Sequence, residues 1–136
     1  MATNKRIQDI MTSKVVTIDL DVTLKEIREV FERARFHHVL VTEKGELAGV
    51  ISDRDVLKAV SPFIGTLSER QSDTDTLKKR AHQIMTRSVT TAIPTDTVEA
   101  AAKLMMAKRV SCLPVISKRK IVGIVTMKDI LKAFVG

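Results

Sequence analysis

The chain has no tryptophan and no tyrosine, and its four phenylalanines, Phe31, Phe36, Phe63 and Phe134, lie mostly in apolar contexts. Proteins that hold single-stranded nucleic acid stack bases on exposed rings, so this use of a basic surface is poorly provided for. No helix-turn-helix, zinc-finger or basic-zipper spacing is present either. A net charge of +7 therefore points first to a small anionic ligand or an anionic surface, with a basic nucleic-acid-binding module kept as the alternative.

There is a single cysteine, Cys112, so no disulfide can form within one chain. It sits in the apolar run Val110-Ser111-Cys112-Leu113-Pro114-Val115 and reads as a buried, inert thiol. Charges break the longest apolar runs within about ten residues, too short to cross a bilayer. Met-Ala-Thr-Asn-Lys-Arg lacks the apolar core of a signal peptide, so the expectation is a cytoplasmic protein without a membrane partner. No G-x-x-x-x-G-K-[ST], G-x-G-x-x-G or H-E-x-x-H motif is present. His37 and His38 are neighbours in a strand-like run and point to opposite faces, which argues against a metal site using both rings. With no carboxylate pair or metal cluster in view, a small nucleotide-processing enzyme is the weaker rival reading; the chain is expected to be no enzyme and to need no cofactor.

What the chain does have is a repeat. A shift of 74 residues lays Ile10-Met11-Thr12 on Ile84-Met85-Thr86, and Val15-x-Thr17 on Val89-x-Thr91. The same shift lays Gly49-Val50-Ile51-Ser52 on Gly123-Ile124-Val125-Thr126, and Asp55-Val56-Leu57-Lys58-Ala59 on Asp129-Ile130-Leu131-Lys132-Ala133. Roughly 15 identities fall in about 57 ungapped positions. Two half-domains too small to bury a large core alone are expected to pack about a pseudo-twofold axis.

Each copy reads β-α-β-β-α, giving an α/β (α+β) fold class. In the first copy Val15 to Ile18 is a short strand, and Thr23-Leu24-Lys25-Glu26 is a capping box opening a helix with Leu24, Ile27, Phe31 and Ala34 on one face. A hairpin turning at Glu43-Lys44-Gly45-Glu46 and a helix from Asp53 with Val56, Leu57 and Val60 follow. The second copy repeats this with Val89 to Ala92, a helix from Thr97 through Lys108, a turn at Ser117-Lys118-Arg119-Lys120 and a helix from Met127. Its first helix buries Val98, Ala101 and Met105, with Leu104 beside them; Met105 and Met106 read as core filler. The expected boundaries are 6–60 for the first repeat, 61–79 for a linker and 80–136 for the second. In the linker Leu77 to Ile84 regains helical character, and Lys78-Lys79-Arg80 reads as a solvated helix face.

The chemistry is concentrated in Ser52-x-x-Asp55 and Thr126-x-x-Asp129, each between a buried strand and a helix. Ser/Thr-x-x-Asp is a common helix cap. Its recurrence in register also presents a hydroxyl, a carboxylate and helix-end amides together, a set that suits the ribose and phosphate of a nucleotide. Arg54 and Lys128 lie inside the two motifs, and Arg35, His37, His38, Lys108 and Arg109 precede the second strands.

Two copies of I-M-T-x-x-x-x-T, then L-P-V-I in the second copy, then G-[VI]-[IV]-[ST]-x-x-D-[VI]-L, resemble a tandem pair of cystathionine-β-synthase (CBS) domains, a Bateman module. The resemblance spans the chain from about Arg6 onward except for the linker. It implies a stand-alone regulatory module binding AMP, ADP or ATP, or else S-adenosylmethionine or NAD(H), in clefts between the repeats and signalling to an effector protein. It also implies a homodimer paired through helix faces such as Val56, Leu57, Val60 and Ile130, Leu131, Phe134. One site would use Ser52, Arg54 and Asp55 with Thr86, Val89, Thr91, Val110 and Ser111. Its counterpart would use Thr126, Lys128 and Asp129 with Thr12, Val15, Thr17, Phe36 and His37. His38 would contact phosphate at the Asp55 site, which is expected to favour phosphorylated ligands. Leu40 stands where the second copy has Pro114, and His37-His38 where it has Ser111-Cys112, so the two sites are expected to differ.

Overall fold

The structure, a computed structural model, describes residues 3–33 and 36–136. Ala34 and Arg35, singled out above, lie outside the described residues. In chain order the elements are α1 (Ile7–Ile10), β1 (Thr17–Asp19), α2 (Leu24–Arg33), β2 (His38–Glu43), β3 (Glu46–Ser52) and α3 (Asp53–Ala59). There follow α4 (Gln71–Asp75), a 3-10 turn (Thr76–Lys78), α5 (Ala81–Ile84), α6 (Val98–Lys108), β4 (Cys112–Ser117), β5 (Lys120–Thr126) and α7 (Met127–Val135). This mixture of helix and strand in two β-α-β repeats is the expected fold class.

The local signals hold where they rest on hydrogen bonds. The Thr23 amide donates to Glu26 Oε1 at 3.4 Å and the Glu26 amide to Thr23 Oγ1 at 3.3 Å, closing the box that opens α2. Thr97 caps α6 by accepting from the Ala100 amide at 3.0 Å. The second copy has no counterpart of β1: around Ala92 only a single parallel bridge to Val115 forms. Met105 is buried, but Met106 is 68% exposed, so only the first of the pair fills the core.

The stretch 61–79 carries α4 and the 3-10 turn, gathered by Asp73. Ser61 Oγ donates to Asp73 Oδ1 at 2.7 Å, the Thr76 hydroxyl to the Asp73 carbonyl at 2.6 Å, and the Ser61 amide to Thr76 Oγ1 at 3.2 Å. The helix expected from Leu77 is interrupted, because Lys79 and Arg80 are extended before α5 begins. The basic triplet there is engaged: Lys78 pairs with Asp75, Lys79 Nζ donates to the Ala59 carbonyl and Arg80 to the Asp21 carbonyl.

The chain divides into two compact units, and these are not the two repeats. One contains the chain up to Val15, Gly45–Leu47 and Ser88–Gly136; the other contains Val16–Lys44 and Ala48–Arg87. The short helix and I-M-T segment of each copy thus pack in the unit built from the other copy.

In the first unit β4 and β5 form an antiparallel pair from Cys112↔Thr126 to Ser117↔Lys120. Thr12 extends it on the β5 side, exchanging two 2.9 Å bonds with Ile124. Ile7 is fully buried in a core with Val98, Met105, Leu113, Val115, Val125 and Ile130. In the second unit the strand order is β1-β2-β3, with β1 parallel to β2 through Thr17↔Leu40, Ile18↔Val41 and Asp19↔Thr42. Thr86 joins β3 as Thr12 joins β5, exchanging bonds of 3.1 and 2.9 Å with Val50. Ala81 and Met85 enter a core with Leu24, Ile27, Val39, Val41, Ile51 and Val56.

The hairpin turn of β4–β5 places Lys118 and Arg119 at φ of 52° and 66°, as a tight primed turn demands. The first copy solves the same turn with Lys44 and Gly45. A side chain in the left-handed region costs roughly 1–2 kcal/mol, so Arg119→Gly is expected to stabilise the first unit by roughly 0.5–1 kcal/mol after the roughly 0.5–1 kcal/mol entropy cost of glycine. A melting temperature equal to or below that of the wild type would refute this account of the turn.

Candidate functional site

Both Ser/Thr-x-x-Asp turns close as capping boxes. At the start of α3 the Ser52 amide donates to Asp55 Oδ2 at 2.8 Å and the Asp55 amide to Ser52 Oγ at 3.1 Å. At the start of α7 the corresponding distances are 2.9 and 3.3 Å, between Thr126 and Asp129. Each carboxylate uses Oδ2 for the cap, and among the described residues no bond engages Oδ1. A carboxylate carries about four lone-pair positions, so capping and ligand binding are compatible roles.

The helix-end amides are less available than the motif suggests. The Asp53 amide donates to the His37 carbonyl and the Met127 amide to the Ser111 carbonyl, both at 2.9 Å. With the third amide of each helix held by the cap hydroxyl, two of the first three are already paired. The hydroxyls also differ: Thr126 Oγ1 donates back to Asp129 Oδ2 at 3.0 Å, whereas Ser52 retains its proton for another acceptor.

Placement of the two turns depends on the exchanged segments. A Cβ on Gly49 would lie 2.5 Å from Met85 Sδ and 2.9 Å from the Thr86 carbonyl oxygen; on Gly123, 2.7 Å from Met11 Sδ and 2.9 Å from the Thr12 oxygen. Only glycine lets the methionine lie across the strand, and Thr86 or Thr12 then reaches the strand two residues before the capping hydroxyl.

The second unit gathers a charged cluster that the first does not duplicate. His37 Nδ1 lies 2.8 Å from Asp53 Oδ2, and this bond holds the Asp53 carboxyl below its ordinary range. Burial pushes His38 below 6.5, opposed by the nearby Asp53 and Asp55 carboxylates. The pairing of His37 with Asp53, two positions before Asp55, joins residues 16 apart and leaves no sequence signature. Burial raises the Cys112 thiol to about 12, in keeping with an inert cysteine.

Of the expected site residues, the second unit brings together Ser52, Arg54, Asp55 and Thr86 with His37 and His38. The first brings together Thr126, Lys128, Asp129, Thr12 and Val15, along with Val110 and Ser111. Val89, Thr91, Val110 and Ser111, assigned above to the Asp55 site, belong to the unit of Asp129; Thr17, Phe36 and His37, assigned to the Asp129 site, belong to the unit of Asp55. Of the expected pairing stripe, Val56 and Ile130 are core, while Leu57 and Leu131 are 78% and 59% exposed.

The CBS domain family model matches residues 7–62 and 81–136, one match to each copy. The chain belongs to the CBS domain family. A homoserine O-acetyltransferase of Methanococcoides burtonii is 35% identical over 94% of this chain, but the chain spans only 24% of that relative's length. A CBS domain-containing protein of Dictyostelium discoideum is 33% identical, with coverage of 92% of this chain and 88% of the relative. Among solved structures, the CBS domain pair of protein MJ0100, in complex with 5'-methylthioadenosine and S-adenosyl-L-methionine, has a TM-score of 0.81 at 28% identity and covers 97% of each chain. The structure of CBSX2 in complex with AMP shares the fold, with a TM-score of 0.79 at 21% identity and 97% of each chain covered. CBS domain pairs are generally regulatory modules. Among the described residues no helix is long and apolar enough to cross a membrane.

Proposed function

We propose that this CBS pair is a non-catalytic regulatory module that binds adenosine-containing ligands and passes the bound state to a partner protein. The observation that carries the reading is the duplicated turn, in which a hydroxyl and a carboxylate from one repeat stand beside an I-M-T segment from the other. Ser52, Arg54, Asp55 and Thr86 form one such set; Thr126, Lys128, Asp129, Thr12 and Val15 form the second. In each, the aspartate's Oδ1 accepts from the ribose and the basic side chain in the turn faces phosphate. The free hydroxyl proton of Ser52 and the neighbouring histidines favour the Asp55 set for phosphorylated ligands. Pairing of two copies through the outward Leu57 belongs to the same reading, as does a cytoplasmic setting.

Thermal-shift measurement against AMP, ADP, ATP, S-adenosylmethionine, NADH and an oligonucleotide tests it. A ligand at about 100 times its dissociation constant stabilises the fold by roughly 2.7 kcal/mol, several degrees for a chain of this size. The nucleotide is expected to be recovered unchanged. If millimolar adenosine compounds leave the melt unmoved while the oligonucleotide shifts it, the chain is a nucleic-acid-binding module instead.

The half-buried His38 adds a pH dependence. Its folded pKa is depressed, so the unfolded chain binds more protons near and below pH 6.5, and stability falls as pH drops through that window. A bound phosphate raises the same pKa, so AMP and ATP are expected to bind more tightly below about pH 6.5, with adenosine nearly indifferent. His38→Gln should flatten the trend. A flat AMP profile in the wild type would remove His38 from phosphate binding.

A further inference from the structure

The two turns share a backbone frame but not their charge. In each, the residue just ahead of β2 or β4 accepts the first amide of the helix: the Asp53 amide donates to the His37 carbonyl and the Met127 amide to the Ser111 carbonyl. On that common frame His37 Nδ1 lies 2.8 Å from Asp53 Oδ2, where the other copy has Ser111 and Met127, neither of which ionises. With neutral histidines, Asp53 and Asp55 against Arg54 leave one net negative charge, whereas Asp129 against Lys128 leaves none. The excess charge reaches the position proposed for phosphate. Burial depresses the His38 pKa, and of the two carboxylates that oppose it Asp53 acts more strongly than Asp55. The other charges near Asp53 offer it no partner: Arg28 and Glu32 of α2, which line the same hollow, pair with each other at 3.5 Å, and Lys58 lies near the far end of α3. The contact itself matters little for the fold, since the His37 and Asp53 side chains are 76% and 44% exposed and an ion pair in that setting adds little stability.

We infer that Asp53 and His37 set the ligand charge that the Asp55 turn accepts: the Asp53 carboxylate opposes a phosphate, and the protonated His37 ring cancels that carboxylate. The two histidines then have separate tasks, His38 towards the phosphate and His37 towards the carboxylate beside it. An imidazolium supplies both the N–H bond and the compensating charge, so the turn admits a phosphorylated ligand when His37 is protonated. A ligand without phosphate carries no charge for Asp53 to oppose. The Asp129 turn has Met127 and Ser111 in these places, and its tolerance of phosphate follows from Lys128 alone. The inference rests on the nucleotide reading and names what selects among nucleotides at one of its two turns.

The test is calorimetric titration of the full chain with AMP and with adenosine at low salt and about pH 6, on the acidic side of the imidazole reference value. Asp129→Asn serves as the parent, so that the Asp55 turn alone is read. The quantity compared is the ratio of AMP to adenosine affinity, which a general loss of folding or of the ribose contact leaves unchanged. His37→Gln keeps an N–H donor for Asp53 and removes only the charge; it is expected to lower the ratio at least about threefold, the effect of one charge acting across about a Debye length. Asp53→Asn should hold or raise the ratio, and His37→Gln/Asp53→Asn should return it to at least the parent value. All three should melt close to the parent. An unchanged ratio in His37→Gln would overturn the inference, and so would a loss that Asp53→Asn does not reverse, which would make His37 a phosphate contact in its own right. Equal loss of both ligands would overturn it too, leaving the pair as a structural brace. If the wild type binds neither ligand, the nucleotide reading fails and the inference falls with it; if the wild type binds and Asp129→Asn does not, the Asp55 turn takes no ligand and only the inference and that turn's role are lost.

Discussion

Gly123→Ala is expected to lower the melting temperature by on the order of 5–10 °C, the equivalent of roughly 1–3 kcal/mol for an overpacked core position. The added Cβ would meet Met11 Sδ at 2.7 Å and the Thr12 carbonyl oxygen at 2.9 Å. The sulfur ends a flexible side chain and can move. The carbonyl cannot, because Thr12 exchanges both backbone bonds with Ile124. Met11→Ala should therefore fail to rescue Gly123→Ala. The consequence is local: displacing the segment that carries Thr12 should weaken ligand at the Asp129 turn and leave the Asp55 turn untouched, with Gly49→Ala giving the mirror result. If Gly123→Ala melts with the wild type, the glycines do not seat the exchanged segments.

This exchange marks the limit of what the sequence can say. The repeat, the β-α-β-β-α order of the first copy, the capping boxes at Thr23, Ser52 and Thr126 and the buried cysteine were all legible, since each is written in spacing or residue type. Which copy receives which I-M-T segment is not written in residue type or spacing; only the family resemblance, which set Thr86 with Asp55 and Thr12 with Asp129, implied it. Met11 and Met85 are identical, as are Gly49 and Gly123, so a segment fits its own copy's strand as well as the other's; only connection lengths and tertiary packing decide. Left-handed Lys118 and Arg119 also carried no signal, because neither is a residue that turn chemistry favours there. Val89 to Ala92 looked like Val15 to Ile18 but forms a single bridge, since a short apolar run gains strand character from its neighbours rather than from itself. The expected free amides at the two turns were overestimated for a related reason: spacing shows where a helix begins, but not that the carbonyls of His37 and Ser111 reach back to its first amide.

The capping geometry sharpens the test of the ligand reading. Asp55→Ala removes both the acceptor for the Ser52 amide and the proposed ribose contact, so it loses about 1 kcal/mol of capping along with any binding. Asp55→Asn separates the two. Its amide oxygen can still accept from Ser52 at the 2.8 Å the aspartate now uses, while the charge and the paired acceptors for two ribose hydroxyls are lost. A charge-assisted contact is worth about 1.5–3 kcal/mol, so Asp55→Asn should weaken binding more than about tenfold at its site with the melt nearly unchanged. Because the contact is to ribose, adenosine and AMP should lose affinity alike, unlike the phosphate-dependent effect of His38. Asp129→Asn should act in the same way on the other turn, and the double variant should abolish saturable binding. If calorimetry finds both affinities intact in Asp55→Asn and Asp129→Asn while the alanine variants lose only stability, the two aspartates are helix caps and nothing more.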